Sequence, residues 1–290
     1  MSRNNYVVVM AGGVGSRFWP LSRLNNPKQF RDILGTGKSL IQHTIDRFKN
    51  VCPVENIYVV TNKIYKNLVQ EQIPELHENQ ILLEPIMRNT APCIAYACYK
   101  IAEKNAKAKI VVTPSDHAIF NESEFERIIM RSLKEIALSD KLITIGITPT
   151  RPDTGYGYIQ FIEGKGFLKK AKTFTEKPAV DIAIKFYESG EFVWNAGIFI
   201  WNAAAIKKAI KKHLPDMDEA FRGIRKKFFT PKEQDAVDTV YSHCRNISVD
   251  YGIMEKADNV YVVPGSFEWS DLGSWNSLYE ISDKDDDLNV

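Results

Sequence analysis

Short apolar, β-branched runs alternate through the first half of the chain with stretches in which apolar side chains recur every three or four positions. Residues 6–11, 57–61, 80–84, 109–113 and 142–147 read as buried strands. Between them Leu40, Ile41, Thr44, Ile45 and Phe48 share one helical face, and Ile128, Ile129, Leu133 and Ile136 share another. Strands separated by helices predict an α/β fold, a mostly parallel sheet flanked by helices that binds its ligands beyond the carboxyl ends of the strands. The pattern then changes. Residues 156–163 and 169–175 read as an antiparallel pair and 193–201 as a further strand, so the sheet is expected to be mixed. Residues 203–243 read as a helical insertion. Its Lys-Lys pairs at 207–208, 211–212 and 226–227 are interleaved with Asp216, Asp218, Glu219, Glu233 and Asp235, which suits a solvated surface better than a basic binding face.

Composition narrows the class. A chain of 290 residues with 44% apolar and 26% charged residues buries a sizeable core as one large domain. A net charge of +2 supplies no field for nucleic acid, and no apolar run approaches the ~20 residues of a membrane span. The N-terminal apolar run is too short for a secretory leader, and Cys52, Cys93, Cys98 and Cys244 show no metal or redox spacing. Buried thiols in a reducing cytoplasm are the expectation.

The chemistry starts where the first strand ends, at Met10-Ala11-Gly12-Gly13-Val14-Gly15-Ser16-Arg17-Phe18-Trp19-Pro20, with Pro27-Lys28 following. Glycines at a strand end expose successive backbone N–H groups as an anion trap, and Arg17 and Lys28 add fixed charge. A dinucleotide fingerprint fails because Phe18 holds the third glycine slot, and a P-loop fails because no lysine follows the glycines closely. The pattern reads as a triphosphate site. Three more segments carry chemistry. Glu84-Pro85-Ile86-Met87-Arg88-Asn89-Thr90-Ala91-Pro92 closes a strand and opens a helix. Glu84 there is either an exposed strand-end charge or an acceptor for guanine's paired N1–H and 2-amino donors. Asp116, in Pro114-Ser115-Asp116-His117, is either a helix cap or a Mg²⁺ ligand, and Asp271 in Trp269-Ser270-Asp271-Leu272-Gly273-Ser274-Trp275 is a second carboxylate for the same ion. His117 is either a metal ligand or, as favoured here, a structural hydrogen-bonding residue.

Together these motifs resemble the sugar-phosphate nucleotidyltransferases, and the Phe-Trp-Pro-Leu-Ser-Arg continuation resembles their mannose-1-phosphate guanylyltransferase branch. The likeness extends through Thr154-Gly155-Tyr156-Gly157-Tyr158-Ile159, Thr175-Glu176-Lys177-Pro178, Trp194-Asn195-Ala196-Gly197-Ile198-Phe199 and Ser248-Val249-Asp250-Tyr251-Gly252-Ile253-Met254-Glu255, in the family's order. It implies a Rossmann-like, GT-A-like nucleotidyltransferase domain over residues 1–282, with 283–290 a tail. It also implies transfer of GMP from GTP to mannose 1-phosphate, giving GDP-mannose and pyrophosphate, by a cytoplasmic homodimer using Mg²⁺. Nucleotide contacts are then expected from Ala11, Gly12, Gly13, Gly15, Ser16 and Arg17, and from Glu84, Asn89, Thr90, Ala91, Ser115 and Asp116. Sugar phosphate contacts fall to Gly157, Glu176, Lys177, Asn195, Gly197 and Asp250, and the metal to Asp116 and Asp271. Arg17, Lys28 and Asp116 are the expected catalytic residues. Replacing Arg17 or Lys28 is expected to cost turnover and little stability. Two rivals stand beside this reading. A sister enzyme would use another nucleotide or sugar phosphate, such as glucose 1-phosphate. A non-catalytic sugar-nucleotide sensor is disfavoured by the presence of Arg17, Lys28, Asp116 and Asp271 together.

Overall fold

The computed structural model describes residues 2–164 and 166–290. Its strands are β1 (Asn5–Ala11), β2 (Ile57–Asn62), β3 (Ile81–Glu84), β4 (Lys109–Pro114), β5 (Ala118–Ile119), β6 (Leu142–Ile147), β7 (Tyr158–Ile162), β8 (Lys169–Thr175), β9 (Phe192–Asn202), β10 (Val260–Gly265) and β11 (Trp269–Ser270). The helices are α1 (Leu40–Phe48), α2 (Lys66–Gln72), α3 (Thr90–Lys104), α4 (Glu122–Glu135), α5 (Val180–Ser189), α6 (Ala203–His213), α7 (Pro215–Gly223), α8 (Glu233–His243) and α9 (Trp275–Ile281).

Nine strands form one sheet in the order β3-β2-β1-β4-β9-β6-β10-β8-β7, with β7 also reaching β9, while β5 and β11 make a separate antiparallel pair. The expected parallel character holds for β3-β2-β1-β4 and for β6 with β10. The pairings β4–β9, β6–β9, β8–β10, β7–β8 and β7–β9 are antiparallel, so the sheet as a whole is mixed rather than mostly parallel. The reason is β9. It enters between β4 and β6 in the opposite sense, and everything that pairs beyond it through β7 and β8 follows an antiparallel meander. The strand at residues 260–265 has no counterpart in the sequence reading.

Helices cover both faces. Val8, Val60 and Val112 point with α3, α6, α7 and α8 into one core, where Trp201 is fully buried beside Phe199. Val7, Val9 and Val111 point with α1, α2 and α4 into the other, where Phe125 meets Phe48 and Phe267 edge-on. Side chains alternating between two dry faces are what a strand without a solvated side requires. Local chemistry sets the helix ends: Ser39 and Gln42 form a capping box on α1, and Asn121 and Asn202 cap α4 and α6. The charged 203–243 stretch is three helices, broken at Leu214-Pro215 and again before α8, and Lys207, Lys208, Lys211 and Lys212 face solvent as expected. Cys52, Cys93, Cys98 and Cys244 are buried free thiols. Among the described residues, no helix is long and apolar enough to cross a membrane.

Candidate functional site

The loop after β1 is held open from beneath. The Gln29 carboxamide donates to the carbonyls of Ala11 (3.1 Å) and Gly13 (2.8 Å), and the Ser22 hydroxyl donates to that of Val14 (2.7 Å). A trans peptide sets each carbonyl opposite the next N–H, so carbonyls drawn down leave the N–H groups of Gly12, Val14 and Gly15 facing away from those clamps. Among the described residues the N–H groups of Gly12 to Gly15 have no hydrogen-bond partner. That is the arrangement an anion trap needs. Gly15 is required twice over: its φ is +66°, and a Cβ there would stand 2.6 Å from Lys28 Cβ. Ser16 and Arg17 follow in a short 3₁₀ turn, with the Arg17 side chain exposed.

Lys28 is buried at the centre. Its ammonium meets Asp116 Oδ2 at 3.0 Å and donates to the carbonyls of Asp271 (2.8 Å) and Leu272 (2.7 Å). All three of its protons are thereby engaged. The expectation that removing Lys28 spares stability is therefore revised, because Lys28 is buried and its loss leaves two backbone carbonyls and a partly exposed carboxylate without their donor. Burial works against the charged form of Asp116, but the Lys28 ammonium, with His117 next, outweighs it and holds the carboxyl below the ordinary range. Asp271 accepts from the Tyr156 hydroxyl (2.8 Å) and the Gly273 N–H (2.9 Å), both on Oδ1. His117 accepts the Trp269 indole N–H at Nδ1 (3.1 Å), a hydrogen bond that orients the ring.

No cluster of three or more His, Cys, Asp and Glu side chains suited to a metal occurs among the described residues. Mg²⁺ does not need one. It retains waters and is commonly held by one or two carboxylates plus substrate phosphates, and Asp116, paired with Lys28, and Asp271, whose backbone carbonyl accepts from the same ammonium, are oxygen donors of that kind.

Glu84, at the end of β3, lines a cleft of about 490 Å³ with Met10, Gly12, Gly13, Asn89, Thr90 and Cys93. It is buried rather than an exposed strand-end charge, and Tyr241 of α8 donates to its Oε1 at 3.0 Å. Burial pushes the carboxyl up to about 7, against the Tyr241 hydrogen bond. Asn89 adopts φ +67° and caps α3, accepting from the Thr90 N–H. The Thr90 hydroxyl accepts from the Val249 N–H (2.9 Å), and the Ala91 N–H donates to Ile247 (3.1 Å). Ser115 is buried, its N–H on the Met10 carbonyl.

The residues expected to hold the sugar phosphate also converge. Gly157 accepts from the Asn195 N–H, and a Cβ on Gly157 would collide with the Glu176 carboxylate. Asn195 donates to Asp250 Oδ1 (2.9 Å) while its own carbonyl oxygen accepts from Thr144 and from the N–H of Gly197. Burial, with the Glu176 charge next, pushes Asp250 up to about 7. Lys177 is exposed, 3.2 Å from Glu176, at φ +46°.

Gln29, Ser22, Tyr241 and Tyr156 were missed by sequence reasoning, because each acts through a partner distant in the chain. Backbone geometry offers one signal that composition does not. Asn89, Lys177 and Leu272, three of the six non-glycine residues at positive φ among those described, stand at the three parts of this site.

The family model described as "Nucleotidyl transferase" matches residues 6–287. A mannose-1-phosphate guanylyltransferase of Salmonella montevideo is 39% identical over 295 residues, covering 98% of this chain and 61% of its own length. Another from Salmonella typhimurium is 38% identical over 98% of this chain and 60% of its own length. The chain thus spans about three fifths of these curated relatives. Among solved structures, a mannose-1-phosphate geranyltransferase from Thermus thermophilus superposes with a TM-score of 0.88 at 31% identity, over 97% of this chain and 80% of that one.

Proposed function

Because the chain belongs to the nucleotidyl transferase family, we propose that it transfers GMP from GTP to mannose 1-phosphate, releasing pyrophosphate. The observation that carries the reading is the meeting of three sites at one sheet edge. Three contacts support it: the glycine loop and Glu84 line one cleft, Lys28 meets Asp116 and the Asp271 carbonyl, and Tyr156, beside Gly157, donates to the Asp271 carboxylate. The names of the curated relatives point to the same substrates.

A phosphate monoester has its second pKa near 6, so mannose 1-phosphate arrives largely dianionic and needs no general base. Positioning and charge neutralisation suffice for in-line attack on the α-phosphorus. In this scheme the N–H groups of Gly12 to Gly15 hold the triphosphate and Arg17 stabilises the leaving pyrophosphate. Lys28 offsets charge at the α-phosphoryl centre, Lys177 meets the sugar phosphate, and Asn195 with Asp250 fixes hydroxyls. Ionised Glu84 accepts both guanine donors. Asp116 and Asp271 would hold Mg²⁺, which when bound supplies charge neutralisation between the two phosphates. The buried thiols suit the cytoplasm.

Four nucleoside triphosphates assayed against mannose and glucose 1-phosphates, with pyrophosphate release as readout, test this. GTP with mannose 1-phosphate is expected to be fastest. A faster pair overturns the substrate assignment, and no release from any pair overturns the catalytic one.

A further inference from the structure

Tyr156 belongs by position to the sugar pocket, between Gly155 and Gly157, yet its hydroxyl reaches away from that pocket to Asp271 Oδ1 at 2.8 Å. The Gly273 N–H adds a second donor on the same oxygen. Two donors on Oδ1 fix the rotation of the carboxylate and leave Oδ2 without a hydrogen-bond partner among the described residues. The ring is clamped as well, 4.8 Å from Trp194 and 5.3 Å from Trp269 between ring centres. Trp269 in turn donates to His117, the neighbour of Asp116. The aromatic group therefore touches Asp271 directly and the chain neighbour of Asp116 through Trp269.

We infer that Tyr156 is a positioning residue: it sets the Asp271 carboxylate for metal binding and ties that setting to the loop that receives the sugar phosphate. The inference rests on the metal-pair reading of the proposed function. Outer partners of metal ligands commonly govern affinity by 10–100-fold. Because Gly157 follows directly, sugar phosphate seated against the loop also holds Tyr156 in place. Coupling of this kind is reciprocal, so sugar phosphate should tighten the metal and the metal should tighten sugar phosphate.

Tyr156→Phe removes the oxygen and keeps the ring. The full chain is titrated with Mn²⁺·GTP without sugar phosphate, followed by water-proton relaxation, and with metal-free GTP in chelator. Tyr156→Phe should weaken Mn²⁺·GTP binding about tenfold or more, leave metal-free GTP binding and the urea midpoint nearly unchanged, and regain most of its kcat as Mg²⁺ is raised. A residue that merely fills space would not be rescued by metal. Mn²⁺·GTP binding equal to wild type overturns the inference. Asp271→Asn separates the two levels. If it too binds Mn²⁺·GTP normally, the metal-pair reading itself fails. If it binds weakly while Tyr156→Phe binds normally, Tyr156 alone is dismissed.

Discussion

The proposed nucleotide half and the proposed sugar half of the site are built on different materials. Around the glycine loop the strands are parallel, dry on both faces and flanked by helices; β1 and β2 are buried along nearly their whole length. Around the sugar pocket the strands are antiparallel, β8 is half-exposed throughout, and α5 buries only Ala183. The first half holds its polar groups by enclosure, as with Lys28 and Glu84. The second holds them by a chain of side-chain hydrogen bonds running from Thr144 through Asn195 to Asp250. A change in the first half should therefore cost stability as well as turnover, whereas a change in the second should cost substrate affinity.

The largest effects should fall on the centre the halves share. Lys28→Ala should lower kcat by about 10²-fold or more and also destabilise the fold by about 1–3 kcal/mol, since the carbonyls of Asp271 and Leu272 lose their donor. Arg17→Ala, at an exposed position, should match the first loss without the second. Urea unfolding beside turnover tells them apart, and equal stability of the two variants would erase the distinction. Asp116→Asn and Asp271→Asn should each remove most activity, with the double variant losing little more, because residues acting as a unit are not additive. Multiplicative losses would assign them separate tasks.

A finer contrast lies in pH. Each half carries one buried carboxyl pushed up to about 7, Glu84 by burial alone and Asp250 by burial with the Glu176 charge behind it. The folded protein thus keeps protons that the unfolded chain has released above its ordinary carboxylate range. Stability from these groups is present at low pH and is lost as pH rises toward about 7. Binding of GTP runs the other way, since guanine's donors need ionised Glu84, and the KM for GTP should fall as pH rises through about 7. Glu84→Gln should flatten that profile, reduce GTP efficiency roughly tenfold to a hundredfold and narrow the preference over ATP. Asp250→Asn should flatten the sugar phosphate profile instead. Identical profiles in both variants would mean that neither carboxyl reads its substrate.

The smallest effect tests the seam between the halves. Thr90→Val removes the acceptor for the Val249 N–H, worth about 1 kcal/mol. Thr90 lies on the base side, but the segment it holds leads to Asp250. The KM for sugar phosphate should therefore rise several-fold, and more than the KM for GTP. The reverse order would return Thr90 to a purely nucleotide role.

The two halves also differed in how openly the sequence declared them. Strands dry on both faces are continuous apolar runs, and the strands at 57–61 and 142–147 were placed almost to the residue. The antiparallel entry of β9 between β4 and β6 was not legible, because the direction of a strand follows from how the chain returns to it and not from its own residues. Of the site, glycines, cations and carboxylates were visible because their chemistry is intrinsic. The Gln29 clamp, the Tyr241 contact and the Tyr156 hydrogen bond were invisible because an amide or a phenol acquires a task only from what folding sets beside it. The burial of Lys28 was hidden for the same reason.

Tyr241 has one more consequence. The hydroxyl that meets Glu84 arrives from 157 positions further along, on a helix of the insertion that shares no phosphate chemistry with the loop. If Glu84 reads the base as proposed, the insertion bears on that choice. A chimaera that borrows α8 from a relative with another base preference should shift the choice of nucleobase while the glycine cradle beneath stays untouched, much as a lock is re-keyed by changing one pin and not the barrel.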